Sequence, residues 1–282
     1  LYAIGAVVGG AMFGDNLSMI SDTTIAATRS QNVELRDKFR VNVWIAFPAA
    51  IITLMLYVMM SHQTDSVPSK PYDLLLILPY LAVFFLAFTR LHVLAVLMIG
   101  VILSGVIGLI EKPEFDLLKL NNSIYDGFVG MFEVALLSML LGGLSTLMQK
   151  EGGLQWLIQR IYTITRLFKF GKQRAGELGI SFLVIFSNLF VANNTVAIIL
   201  SGDMAREVAK EYGVDPKRSA ALLDIFSCVI QGIIPYGAQL LLACSIAKLS
   251  PVELIGNIYY CWILAVCAIL AIVFNYPRLK TR

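Results

Sequence analysis

The chain has 282 residues, 58% of them hydrophobic and only 15% charged, with a mean hydropathy of +0.77 and a formal net charge of +3. A soluble domain carries about a quarter charged residues. A soluble enzyme is therefore excluded, and no stretch is long and polar enough to form a separate domain on a membrane anchor. The composition predicts an all-α polytopic membrane protein, with apolar runs near the ~20 residues that cross a ~30 Å hydrocarbon core.

In chain order, the apolar runs predict spans near 1–28, 41–60, 73–89, 92–110, 127–148, 178–201, 220–247 and 257–274. The first opens on leucine inside an apolar run, so an N-terminal part is expected to precede it, and no signal peptide is recognisable. It is interrupted by "GDNLSMISDTT" at 14–24. The loop at 29–40 carries Arg29, Arg36, Lys38 and Arg40, and the loop at 149–177 is also basic, which places both in the cytoplasm and the acidic loop 111–126 outside. Residues 154–170 read either as a helix lying in the membrane interface or as a short helix packed on neighbouring loops. A re-entrant hairpin over 178–201, centred on "SNLFVANNT", returns the basic tail 278–282 to the cytoplasm. The interrupted spans 1–28 and 220–247 then run in opposite directions, as inverted repeats require. The expected divisions are 1–60, the end of a first repeat; 61–126, connecting spans; and 127–282, a second repeat. Cys228, Cys244, Cys261 and Cys267 lie in apolar runs without metal-ligand spacing and read as small buried hydrophobes.

In a continuous helix Asp15, Ser18 and Asp22 share one face, with Thr23 or Thr24 adding hydroxyls beside them. Asp224, Ser227 and Gln231 repeat that spacing, with Gln239 two turns further on. Carboxylate, hydroxyl, amide and freed backbone carbonyl oxygens suit a small hard cation. The carbonyls are expected from helix breaks near Gly14 and at Pro235, which removes a donor and crowds the carbonyl one turn earlier. A charge deep in the bilayer costs roughly 2.5–3.5 kcal/mol, which a bound cation or a proton offsets. The plainer reading leaves Asp15 as a cap or a solvated charge at the surface. Desolvation lets a proton compete with a cation for one carboxylate, so Asp22 or Asp224 supplies the minimum equipment for cation/proton exchange; spacing does not choose between them. Asn188, Asn193, Asn194 and Thr195 offer uncharged ligands, or simply interhelical hydrogen bonds. Glu133 reads equally as a second proton carrier or as a side chain hydrogen-bonded at the outer interface.

Taken together, "GDNLSMISDTT" and "FVANNTVAIILSGDMAREVAKEYGVDPKRSAALLDIFSCVIQGIIPYGAQLLLA" closely resemble the sodium/proton antiporters of the NhaC family, in the ion transporter superfamily, over nearly the whole chain. The resemblance implies a longer protein with two inverted repeats, a site formed by broken helices and elevator-like alternating access. Asp15, Ser18, Ser21, Asp22, Thr23 and Thr24 match the family's Gly-Asp…Ser-Asp-Thr-Thr pattern. Asn193, Asn194 and Thr195 match its Asn-Asn-Thr, and Asp224, Ser227, Gln231, Pro235 and Gln239 match the segment that follows. Family members often read Lys-Leu-Ser-Pro where this chain has Asn16-Leu17-Ser18-Met19, a departure that alters the kink and the local charge and leaves ion preference open.

The expected function is secondary active exchange of Na+ for H+, with Na+ as the metal at the site, no organic cofactor and no enzymatic activity. The alternative is sodium-coupled transport of an amino acid or organic acid. An intramembrane aspartyl protease is disfavoured, because Met-Phe-Gly precedes Asp15 and Tyr125-Asp126 falls in a loop. Expected partners are the lipid bilayer, Na+ and H+, with an organic solute and a homo-oligomer left open and no nucleic acid. The expected location is the inner (plasma) membrane of a bacterium. Without the preceding half of the site, the chain is expected to be inactive.

Overall fold

A computed structural model describes residues 1–18, 21–61, 74–87, 91, 93–111, 115–153, 156, 160 and 172–277. Regular structure among the described residues is helical throughout: α1 (Tyr2–Leu17), α2 (Asp22–Gln31), α3 (Leu35–Ser61), a 3-10 turn (Leu74–Ile77), α4 (Leu78–Ala87), α5 (Val93–Glu111) and α6 (Leu117–Lys150), followed by α7 (Lys172–Val191), α8 (Asn194–Tyr212), α9 (Pro216–Ile233), α10 (Ala238–Ala247), α11 (Pro251–Ile255) and α12 (Tyr259–Val273). Five helical stretches, Tyr2–Gln31, Leu35–Met60, Leu94–Glu111, Lys172–Val191 and Pro216–Ala247, are long and apolar enough to cross a membrane. Large apolar side chains such as Leu54, Met59, Ile102 and Val266 point outward, as lipid contact allows and water does not favour. The chain is a multi-pass membrane protein.

Two compact units are present, one of residues 64–133 and one of residues 1–63 with 134–282. The second unit is organised around α9. Its Asp215 cap accepts a hydrogen bond from the Lys217 amide at 2.8 Å, and Pro216 occupies the first turn, where its missing N–H has no consequence. Every residue of α9 from Arg218 to Gly232 is buried, the pattern of a helix enclosed on all sides. Around it stand α1, α2, α3, α7, α8 and α12. Close approach has specific causes: a Cβ at Gly202 on α8 would lie 2.6 Å from Ser30 Cβ on α2.

Several expectations change. The break expected near Gly14 falls later, between Leu17 and Asp22, and Gly14 is helical. Asp15, Ser18 and Asp22 therefore do not share one continuous helix. The acidic segment expected as a loop over 111–126 is helical from Leu117, because polar residues outside an apolar window do not themselves stop a helix. Lys38, counted above as a loop charge, lies in the first turn of α3 and is fully buried. The chain does turn at Ala192–Asn193, as "SNLFVANNT" predicts, but α7 and α8 run 20 and 19 residues, well beyond 178–201. Cys228, Cys244 and Cys261 are buried free thiols and Cys267 is half-buried. Most of the stretch expected as an interfacial helix, the tail 278–282 and the side chain of Glu133 lie outside the described residues.

Candidate functional site

Three interruptions of helix meet in the larger unit. The first separates α1 from α2. Ser21 caps α2, accepting from the Thr24 amide at 3.4 Å, while the Thr24 hydroxyl reaches back to the Ser18 carbonyl at 2.8 Å. The Ser21 amide donates to Ser18 Oγ at 3.0 Å. Hydroxyls thus close the backbone groups that the break releases.

The second interruption is Ala192–Asn193, where Ala192 adopts a left-handed φ of 52° and the Asn193 side chain caps α8 through the Val196 amide at 3.0 Å. The third is Ile234–Gly237, where Pro235 prevents α9 from continuing into α10. Gln231, at the end of α9, joins the last two. Its amide donates to the Ala192 carbonyl at 3.1 Å and to Gln239 Oε1 at 2.6 Å.

A cavity of about 440 Å3 opens where these interruptions converge. Asp15, Ser21, Asp22 and Thr23 line it from the first break, Asn193, Asn194 and Thr195 from the second, and Gln231 and Gln239 from the third. Asp22 is exposed at this surface and Asp15 is half-buried. Among the described residues no basic side chain lines the cavity, and its two charged lining groups are carboxylates. Gln231 Oε1 is buried and has no donor. Carboxylate, hydroxyl and amide oxygens without a soft ligand form a set for a hard cation. Among the described residues, no three His, Cys, Asp or Glu side chains gather as a metal cluster, so an ion here would rely largely on neutral oxygens.

Ser18, Thr24, Asn188, Asp224 and Ser227 stand outside the cavity's lining. Ser18 and Thr24 hold the first break together. Ser227 directs its hydroxyl to the Asp224 carbonyl at 2.9 Å, and its own carbonyl accepts from Asn188 Nδ2 at 2.7 Å. Asn188 Nδ2 also donates to Asn194 Oδ1 at 2.9 Å, bracing the second break from behind.

Asp224 is buried behind the cavity and paired with Lys38 at 2.6 Å. Asn42 Nδ2 donates to the same carboxylate oxygen at 2.8 Å and to the Asn16 carbonyl at 2.9 Å. The sequence reading missed Asn16, Lys38 and Asn42. Lys38 and Asn42 stand four apart and so share a helical face, but that signal holds only once α3 is known to begin at Leu35 rather than near 41.

Residues 65–276 match the model of the Na+/H+ antiporter family. The Na(+)/H(+) antiporter NhaC of Alkalihalophilus pseudofirmus is 23% identical over 97% of this chain and 64% of its own length. An uncharacterized Na(+)/H(+) antiporter of Haemophilus influenzae is 24% identical over 83% of this chain and 57% of its own. The malate-2H(+)/Na(+)-lactate antiporter of Bacillus subtilis is 22% identical over 96% and 63%, respectively. The chain thus spans roughly three fifths of the length of these curated relatives. No solved structure matches it significantly.

Proposed function

The chain belongs to the Na+/H+ antiporter family, and from that premise we propose that it is the part of a secondary transporter, in a bacterial plasma membrane, that exchanges Na+ for H+ at the cavity between its three helix breaks. The observation that carries this reading is the cavity's lining: two carboxylates, neutral oxygens from all three breaks and, among the described residues, no cationic side chain. A carboxylate at such a position accepts either a cation or a proton. The two occupants exclude each other, and that exclusion couples their fluxes. Asp15 and Asp22 face the cavity and are the carboxylates assigned to the exchange. The remaining lining oxygens, from Ser21, Thr23, Asn193, Asn194, Thr195, Gln231 and Gln239, are assigned to the cation.

Under this reading the broken helices α1/α2 and α9/α10 are equivalent parts of two inverted repeats, and the α7–α8 turn is a hairpin entering from one side. Alternating access then moves the cavity between the two faces of the membrane. A second reading is supported by size. About 440 Å3 lies in the range of small-molecule sites and exceeds what a bare Na+ requires, so sodium-coupled carriage of a small solute is the alternative. An anionic solute would need its charge offset by a bound cation, because the described lining supplies no cationic side chain.

The test uses the full-length protein in proteoliposomes with an acidic interior. Adding NaCl outside is expected to alkalinise the lumen, and choline chloride is not. Alkalinisation absent from demonstrably folded protein would refute exchange, and sodium-dependent uptake of labelled amino or organic acids would then support the alternative.

A further inference from the structure

The first helix break already holds a cation. Lys38 Nζ lies 2.6 Å from Asp224 Oδ2, and it donates to Thr24 Oγ1 at 2.7 Å and to the Asn16 carbonyl at 3.2 Å. That carbonyl belongs to the last turn of α1, the end of a helix at which backbone acceptors look outside the helix for partners. Carboxylate, hydroxyl and freed helix-end carbonyl are the ligand types anticipated for a metal ion at a helix break. The side chains of Asn16, Lys38, Asn42 and Asp224 are at most 1% exposed. Acceptors also outnumber donors here, since Asn16 Oδ1, Asn42 Oδ1 and Asp224 Oδ1 are buried without a hydrogen-bond partner.

We propose that the Lys38 ammonium is a tethered cation that fills the ion-binding geometry at the first helix break, so that Asp224 serves Lys38 and not the transported ion. The ammonium and Asn42 Nδ2 already hold Asp224 Oδ2, so a free ion would have to compete with the ammonium for that carboxylate. The ammonium also touches the chain on both sides of the break, Asn16 before it and Thr24 after it, and so fixes the angle at which Asp15 and Asp22 reach the cavity. Lys38 is in this sense a positioning residue for the exchange site. The assignment concerns the sealed cluster behind the cavity and does not depend on which cargo the cavity carries.

Removing the tether should expose a new site for a free ion. The experiment compares thermal unfolding of the full-length protein in detergent for wild type, Lys38→Met and Lys38→Met/Asp224→Asn, each in choline, lithium, sodium and potassium chloride at equal concentration. Lys38→Met is expected to gain a stabilisation by small alkali cations, raising Tm by about 4 °C or more beyond any wild-type response. The double variant, which has no carboxylate left to recruit an ion, is expected to fold and to show no such gain.

Each of the following results would overturn the proposal. One is an ion response in Lys38→Met equal to that of wild type, or a failure of that variant to fold in every salt. Another is loss of a wild-type sodium response in the double variant, which would place Asp224 among the cargo's ligands. The last is a double variant that does not fold, since a pair that only neutralises itself is replaceable by uncharged side chains of similar size. Loss of sodium/proton flux in wild type would bear on the exchange reading alone.

Discussion

At the scale of single residues, burial separates the three carboxylates that the sequence proposes for ion binding. Asp15 and Asp22 line the cavity, whereas Asp224 lies behind it, fully covered and paired with an ammonium. Asp15→Asn is therefore expected to raise the half-saturating Na+ concentration about tenfold or more, corresponding to about 1.4 kcal/mol. Asp22→Asn should do so by less, because water screens its more exposed charge. Sodium-dependent flux over a concentration series checks both.

The other enclosed pair, Glu177 with Arg218, joins α7 to α9 at 3.3 Å, and Arg218 also donates to the Tyr276 carbonyl at 2.6 Å. Arg218→Met leaves the buried Glu177 carboxylate without its counter-ion, with the Gln173 amide still donating to it at 3.2 Å, and should cost about 3–5 kcal/mol of stability, most of it recovered in Glu177→Gln/Arg218→Met. Denaturant unfolding of the three proteins measures the difference. The acidic candidates were legible in the sequence because a charge inside an apolar run is conspicuous. Lys38 was not, because a lysine at the edge of a run looks like a loop charge until the helix is seen to start three residues earlier.

At the scale of elements, the positions of the breaks follow from local chemistry. Pro235 and the Asn193–Asn194 pair mark their interruptions directly, whereas the first break was misplaced at Gly14. Glycine permits a bend without requiring one, and the hydroxyls of Ser18, Ser21 and Thr24, which compete for backbone groups, settle the break four residues later. The long reach of α6 was illegible for a related reason: hydropathy reports the membrane interval and not where a helix ends.

Packing between α2 and α8 depends on Gly202, and the same contact carries the bond from Gln31 Nε2 to the Gly202 carbonyl at 2.9 Å. Gly202→Leu should force these helices apart at a cost of about 1–3 kcal/mol or more. The separation would displace Asp22 and Thr23 relative to Asn193–Thr195. The expected outcome is a lower Tm together with weaker sodium-dependent flux, whereas Gly10→Ala, at a position open to space on α1, should lower neither.

At the scale of the whole molecule, the fold brings three separate stretches of chain to one polar cavity inside a membrane-spanning unit. The proposed exchange of Na+ for H+ would give that cavity its role. Composition and span pattern made the class of protein legible, and the paired motifs indicated which segments meet. The division into an open, acidic cavity and a sealed Lys38–Asp224 cluster behind it could not be read from spacing, because both groups lie on faces that the sequence assigns equally to the site.

On the proposed exchange, Asp15 and Asp22 bind Na+ and H+ in mutual exclusion. The most direct measurement is proton release on adding NaCl to the purified full-length protein in weakly buffered solution, alongside Na+ binding to the same sample. The account predicts that wild type releases protons as Na+ binds and that Asp15→Asn/Asp22→Asn does neither. Proton release that persists undiminished in this double variant would contradict it.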